Sequence, residues 1–187
     1  MRTLLYQVRP FVAILFFACG QKDNQNSNDS AAVVPSRPEV TTASESSAVA
    51  FVRQFYKLYI PRGIQSGLAA TDSIVRERPA MFSPGLLAAL KDDARARAGA
   101  RGEIVGLDFD PFLAAQDPCD NYDVGKPTRV GGRSASILVP IFALCSKQRD
   151  SAAVIAEVVP NSGSWAFANF HYPGQPVTDL LTTLKNP

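Results

Sequence analysis

Residues 135–172, ASILVPIFALCSKQRDSAAVIAEVVPNSGSWAFANFHY, decide the fold of this chain. Apolar runs rich in β-branched and aromatic residues alternate there with short polar or glycine-containing connections, which is the pattern of successive β-strands. Because connections of a few residues suit hairpins, we expect an antiparallel meander. With the segment just before them, these residues predict four strands, over 122–130, 135–145, 152–159 and 164–172.

Two long helices are predicted ahead of the strands. In the first, apolar residues recur at three- and four-residue spacing, and Pro61 and Gly63 are expected to end the helix. In the second, Ser83 is the N-cap, Pro84 takes the first helical position and Gly99 marks the end. The predicted apolar faces are Ala48, Phe51, Val52, Phe55, Tyr56 and Tyr59 in the first helix, and Leu86, Leu87, Leu90, Ala94 and Ala98 in the second.

A short helix near residues 71–77 and a final amphipathic helix over 177–185 complete the predicted elements. Helices first, an antiparallel sheet second and a short helix last make an α+β fold. We expect the N-terminal helices to pack on one face of a twisted four-stranded sheet. Residues 47–187 have the size of a single domain with one hydrophobic core.

Residues 1–18, MRTLLYQVRPFVAILFFA, are predicted to be a signal peptide. Arg2 and Arg9 precede an apolar run over residues 11–18, and this order of charge and hydrophobicity is typical of secretory signals. A run of this length is too short to span a bilayer, which takes about 20 apolar residues. The segment therefore predicts export rather than a membrane-spanning anchor.

Cys19 follows directly, and two processing routes are open. Residues 16–19, FFAC, resemble the lipobox of bacterial lipoproteins, in which Leu is more usual than Phe at the first position. The resemblance implies a diacylglycerol on Cys19 and, with Gly20 next, an outer-membrane lipoprotein facing the periplasm. Residues 18–20, ACG, also fit ordinary cleavage after Gly20, which gives a soluble secreted or periplasmic protein.

Residues 19–46 are predicted to be a lipidated cysteine followed by a disordered tether. They are rich in Asn, Gln, Ser, Thr and Pro and poor in large apolar residues, so they cannot bury enough surface to offset the entropy of ordering. The chain has three cysteines. If Cys19 carries lipid, Cys119 and Cys145 remain as one disulfide pair, with two buried free thiols as the alternative.

The charge balance argues against nucleic acid as a partner. Loss of residues 1–18 removes two arginines and no acid, so 17 Lys and Arg balance 17 Asp and Glu in the rest of the chain. No basic patch typical of nucleic-acid binding remains. The sequence also has no glycine-rich phosphate loop, paired-cysteine zinc pattern or nucleophile elbow, so no cofactor and no metal are predicted.

Residues 107–123, LDFDPFLAAQDPCDNYD, are the segment most suited to chemistry. Three interpretations are open for its carboxylates: oxygen ligands for calcium, side chains bonded to their own backbone in turns, or a surface for a partner or small ligand. The spacing matches no established calcium loop. The polar residues concerned are Asp108, Asp110, Gln116, Asp117, Asp120 and Asp123.

His171 is the only histidine in the chain. Any histidine-dependent catalysis must therefore use it. Strand alternation predicts that Trp165, Asn169 and His171 share one face of the last strand, where they could contact a ligand. The alternative is a histidine held by a backbone partner or by water.

Four segments of the predicted domain share features with known bacterial proteins. They are 51–60 (FVRQFYKLYI), 82–93 (FSPGLLAALKDD), 107–117 (LDFDPFLAAQD) and 165–174 with 179–185 (WAFANFHYPG and DLLTTLK). They resemble a family of small bacterial secreted domains and lipoproteins of unknown function, and the layout is similar to the cone-shaped nuclear-transport-factor-like or cystatin-like architecture. The resemblance implies fold and location and transfers no active site.

Three functions follow as hypotheses. The first is a membrane-tethered envelope lipoprotein, not an enzyme, whose domain binds another envelope protein. The second is a domain that binds a small molecule on the concave face of the sheet. The third is a hydrolase or metal-dependent enzyme built from His171 and the aspartates.

Overall fold

The computed structural model describes residues 44–131, 136–145, 151–175 and 178–185. Its helices are α1 (Glu45–Ser66), α2 (Leu68–Glu77), α3 (Pro84–Gly99) and α4 (Leu180–Lys185), with a 3₁₀ turn at Pro79–Met81. Its strands are β1 (Tyr122–Val124), β2 (Thr128–Arg129), β3 (Ile137–Ala143), β4 (Val154–Asn161) and β5 (Ser164–His171). The predicted signal peptide, Cys19 and the tether as far as residue 43 lie outside the described residues.

The α+β class is confirmed, with one antiparallel sheet in the order β1-β3-β4-β5 and β2 also paired with β3. The sheet has five strands rather than four, because the predicted strand over 122–130 is interrupted. At the interruption, the Gly125 N–H donates to the Pro140 carbonyl at 2.8 Å. A Cβ at Gly125 would lie 2.7 Å from the Phe142 ring, so only glycine allows this approach.

Helix α1 is longer at both ends than the sequence predicts. Ser44 caps it, accepting a hydrogen bond from Ser47 N, so the helix begins inside the predicted tether. The predicted end at Pro61 and Gly63 is wrong, because tertiary packing outweighs the hydrogen bond that Pro61 cannot make. A Cβ on Gly63 would lie 3.0 Å from the Asp110 carboxylate, so glycine lets the helix pass close to that loop.

Helix α3 starts as predicted and buries Leu86 and Leu90 as predicted, but its last buried position differs. Ser83 accepts a hydrogen bond from Leu86 N, and the helix ends at Gly99. Its third buried position is Asp93 rather than Ala94 or Ala98, and Ala98 is exposed. Asp93 can be buried because its carboxylate accepts hydrogen bonds from Leu107 N and the Arg97 guanidinium, at 2.9 and 2.8 Å.

Aromatic rings fill the space between α1 and the sheet. Phe55 of α1 lies 4.7 Å from Phe167 of β5 and 5.3 Å from Phe112, measured between ring centroids, and Phe112 lies 4.8 Å from Phe170. The predicted apolar face of α1 is confirmed as core, with Phe51 at its partly exposed edge. A small molecule could bind between α1 and the sheet only if these rings moved apart.

The opposite face of the sheet is also apolar. On β3, buried and partly exposed residues alternate, and β4 follows the same pattern over most of its length. Strands that are apolar on both faces are more typical of covered sheets than of sheets with one solvated face. The partly exposed apolar positions are Leu138, Pro140, Phe142, Ile155 and Val159.

Cys119 and Cys145 lie at disulfide distance, with Cα atoms 5.1 Å apart and a sequence separation of 26. Cys119 precedes β1 and Cys145 follows β3, which are paired strands, so the cross-link reinforces one edge of the sheet. The pairing agrees with the expectation drawn from the cysteine count.

Candidate functional site

Asp110 is a buried structural residue rather than part of a ligand surface. Only 3% of it is exposed. One carboxylate oxygen accepts hydrogen bonds from Phe112 N at 2.9 Å and Leu113 N at 3.1 Å, and the other accepts from the Tyr59 hydroxyl at 2.7 Å. This agrees with the backbone-bonded turn and corrects its assignment to a candidate surface.

The Asp110 carboxyl is held in a network that reaches three elements of the fold. Tyr59 belongs to α1, and its hydroxyl also lies 2.7 Å from the Thr71 hydroxyl of α2. Burial raises the pKa of Asp110 to about 6, although the hydrogen bonds from Tyr59, Phe112 and Leu113 act to lower it. The network fixes the loop after residue 107 against both helices.

The predicted grouping of Trp165 with Asn169 and His171 is wrong, because β5 contains a β-bulge. Glu157 pairs with Asn169, but the next residue of β4 pairs with Phe167, so one residue of β5 is left over. The extra residue reverses the alternation. Trp165 therefore faces the core, whereas Asn169 and His171 lie on the partly exposed side.

Trp165 serves packing. It is 4% exposed, and its indole N–H donates to the Ser47 hydroxyl at 3.0 Å. This bond ties the start of β5 to the first turn of α1. The position leaves Trp165 no open face for a ligand.

Asn169 positions the start of α4. Its side-chain N–H donates to Asp179 at 2.9 Å, and its side-chain oxygen accepts from Leu181 N at 3.1 Å. Asp179 also accepts from Thr182 N at 2.9 Å, as a helix N-cap does. Burial acts to raise the pKa of Asp179, but hydrogen bonds from Asn169, Thr182 and Thr178 outweigh it and lower the pKa to about 2.

His171 pairs with Glu157 and not with the aspartates of the loop. Its Nε2 lies 3.0 Å from a Glu157 carboxylate oxygen, and both side chains are partly exposed on adjacent strands. Asp110, by contrast, lies in the core. The acid-base set required by the third hypothesis is therefore not assembled from His171 and Asp110.

Asp108 and Gln116 do come together, as two walls of a cleft of about 290 Å³. The Gln116 amide lies 3.4 Å from Asp108, and Phe109 and Tyr172 line the same cleft. Asp117 is exposed and does not line it. The volume is at the lower limit for small-molecule sites, which measure about 300–1,000 Å³.

A larger surface feature, which sequence reasoning missed, lies between α2 and α3. We define the α2–α3 groove by its floor of Val75, Leu90, Ala94 and Ala98, its rim of Arg76, Lys91 and Arg95, and Asp72 in one wall; its volume is about 520 Å³. All three rim cations are exposed. The uneven charge of the two halves of the domain is the sequence signal that could have indicated it.

The described residues contain no group of three or more His, Cys, Asp and Glu side chains placed to hold a metal ion. Within the same ranges, every helix is too short or too polar to cross a bilayer.

Comparison with known proteins gives no further assignment. The chain has no significant match to a protein family, a curated protein or a solved structure.

Proposed function

We propose that this chain is an exported lipoprotein, anchored through acylated Cys19, whose folded domain binds another envelope protein. The signal-like residues 1–18, the lipobox-like residues 16–19 and the polar composition of the following segment support the anchor. The resemblance to small bacterial secreted domains supports the same location, at the outer membrane on its periplasmic side.

The observation that carries the binding role is the uneven distribution of charge over the domain. Residues 45–101, which form α1 to α3, contain nine Lys and Arg against five Asp and Glu. Residues 102–187 contain six against nine. Once residues 1–18 are removed, the chain is formally neutral. A neutral chain that separates its charges in this way has the electrostatic polarity that orients one protein on another.

The two other hypotheses have less support. The sheet face toward α1 carries Phe167 and Phe170, which pack against α1 and Phe112 instead of lining a cavity. His171 is paired with Glu157, whereas Asp110 is buried and bonded to Tyr59, so the acid-base set of the third hypothesis is not formed by His171 and Asp110. Among the described residues, the cleft at Asp108 and Gln116 is one place where a small ligand could bind.

The proposal is tested in bacteria that express the full chain or its Cys19→Ser variant. Mass spectrometry of the mature N-terminus should find acylated Cys19, and the variant should leave the membrane fraction. Crosslinking in intact cells should recover a specific envelope protein with the wild type. Recovery should fall with Cys19→Ser, since the anchor raises the effective concentration at the membrane. Recovery of abundant background proteins alone would refute the binding role.

A further inference from the structure

We propose that the α2–α3 groove binds an acidic amphipathic helix of the partner protein. This inference rests on the proposed function and names the site and the kind of partner. It is argued from the groove's shape, its floor and the charges along its rim.

The floor of the groove is a straight apolar strip. Leu90, Ala94 and Ala98 follow each other at four-residue spacing on α3, and Val75 of α2 faces the same space. Three positions at that spacing extend over about 12 Å of helix. A partner helix of about three turns could place one apolar stripe along this strip, which is the helix-in-groove mode of recognition.

The rim is positive on both sides. Arg76 extends from α2, and Lys91 and Arg95 extend from α3. Among the described residues, Arg95 is paired with Asp92, and both are exposed, so this pair contributes little and can be exchanged for a partner's carboxylate. Acidic side chains flanking the apolar stripe of a partner would meet cations on both walls.

The acids near the groove do not cancel this charge. Asp72 lies in the wall, and its carboxylate accepts two hydrogen bonds from Arg97, at 2.6 and 3.2 Å. Asp93 accepts from the same guanidinium at 2.8 Å. Arg97 therefore balances one of the two acids, and one negative charge is left over. The rim adds three cations, Arg76, Lys91 and Arg95, against Asp92, so the groove keeps one net positive charge to face a partner.

A helix fits the groove better than a lipid chain does. The groove is open along its length, so an acyl chain in it would keep much of its surface in water. A helix needs only one apolar stripe covered and can leave its other faces in solvent. The small side chain of Ala94 also allows a helix to approach the floor closely.

Binding of designed peptides to the full chain, purified in nonionic detergent, tests the inference. The probe is a fluorescent helical peptide of about 20 residues with one apolar stripe flanked by Glu. The control peptide has the same sequence, with Lys in place of those Glu residues. We expect the Glu peptide to bind at least about tenfold more tightly than the Lys peptide. The difference should shrink in about 0.5 M salt. Equal affinity for the two peptides would overturn the inference.

Charge reversal in the groove provides the matched comparison. The double variant Lys91→Glu/Arg95→Glu should weaken binding of the Glu peptide at least about tenfold, because it replaces attraction by repulsion. Lys126→Glu makes the same kind of change on an exposed residue between β1 and β2 and should leave affinity unchanged. A double variant that binds like the wild type would contradict the site.

Photo-crosslinking in cells separates this inference from the proposed function. A photoreactive amino acid at position 98, in the groove, should capture a protein that contains an acidic amphipathic helix. Capture only from position 126 would remove the groove and leave the proposed function standing. Failure of whole-cell crosslinking to recover any specific protein would remove the proposed function, whatever the peptides do. The chain could instead bind phosphatidylglycerol vesicles in a way that depends on Lys91 and Arg95 and that the Glu peptide does not compete with. This result would identify the occupant of the groove as a membrane surface and not a helix.

Discussion

Asp110 and Asp179 each close a turn by accepting hydrogen bonds from backbone N–H groups, but the first is buried in the domain and the second is partly exposed beside α4. Among the described residues, the Asp110 carboxylate accepts three hydrogen bonds, and the Asp179 carboxylate accepts four. Their pKa values nevertheless move in opposite directions, to about 6 for Asp110 and about 2 for Asp179.

The comparison shows which physical effect dominates in each place. At Asp110, the loss of water outweighs a similar set of donors, so the neutral carboxyl is favoured. At Asp179, desolvation is still the largest single effect, but the hydrogen bonds from several donors together outweigh it and favour the charged carboxylate. The same residue type and the same turn chemistry therefore make the domain sensitive to pH in two different ranges.

The largest expected effect is that of Asp110→Ala on the free energy of unfolding. The substitution leaves the Tyr59 hydroxyl and the N–H groups of Phe112 and Leu113 buried without their partner, and we expect a loss of about 4 kcal/mol. Urea unfolding measures it. Asp108→Ala, two residues away and exposed, should change the free energy by no more than about 0.5 kcal/mol. Similar losses for the two variants would contradict a structural role for Asp110.

The pH dependence of stability is the next effect. Because the pKa of Asp110 is about 6 in the folded state against 3.8 ordinarily, its contribution is full below pH 4 and is lost as pH rises through 6. We expect the free energy of unfolding to fall by about 3 kcal/mol between pH 4 and pH 7. Asp110→Asn keeps an acceptor for the two backbone N–H groups and should abolish this fall. An unchanged pH profile in the variant would assign the dependence to other groups.

Tyr59→Phe tests whether hydrogen-bond donors lower the pKa of Asp110 against the effect of burial. Loss of the hydroxyl should cost about 1–2 kcal/mol. It should also raise the pKa of Asp110 further, since the Tyr59 hydrogen bond acts to lower it. Tyr56→Phe is the control, because the Tyr56 hydroxyl donates to the Phe112 carbonyl at 2.7 Å and not to Asp110. Carboxyl titration by NMR should show the shift only in the first variant.

Asp179→Ala has the smallest expected effect, about 1 kcal/mol, which is typical for loss of a helix N-cap. The sign of its pH dependence is opposite to that of Asp110. With a pKa of about 2 against 3.8 ordinarily, Asp179 stabilises the fold above pH 4, and the contribution disappears as pH falls through 2. Acid unfolding curves should show that Asp179→Ala loses this dependence, whereas Asp179→Asn should retain most of the cap at neutral pH.

Sequence periodicity predicted the helices and strands, but not all of their ends or buried faces. The spacing of Phe55 and Tyr59, the Ser83 cap and the strand runs predicted the α+β fold, because these signals are local. The continuation of α1 past Pro61 depends on contacts of Gly63 with the Asp110 loop, far along the chain. The bulge in β5 depends on pairing with β4, so alternation alone placed Trp165 on the wrong face.

The candidate site was predicted only where its residues are close in sequence. Asp108 and Gln116 are close in sequence and do share a cleft. The α2–α3 groove joins residues of two helices, which no local pattern brings together. On α3, Asp93 is buried, whereas Ala98 is exposed. A scale of hydrophobicity assigns Asp93 to solvent, since it does not include the partners supplied by Arg97 and Leu107.

The link between Cys119 and Cys145 makes a closed ring of the segment that contains β1, β2 and β3. A protease that cuts anywhere within that ring produces two pieces that remain covalently joined, with all pairs of strands still attached. Such a nicked protein would run as one band in a denaturing gel and separate only after reduction. The ring would therefore protect the domain against separation of its pieces after a single cut in this segment.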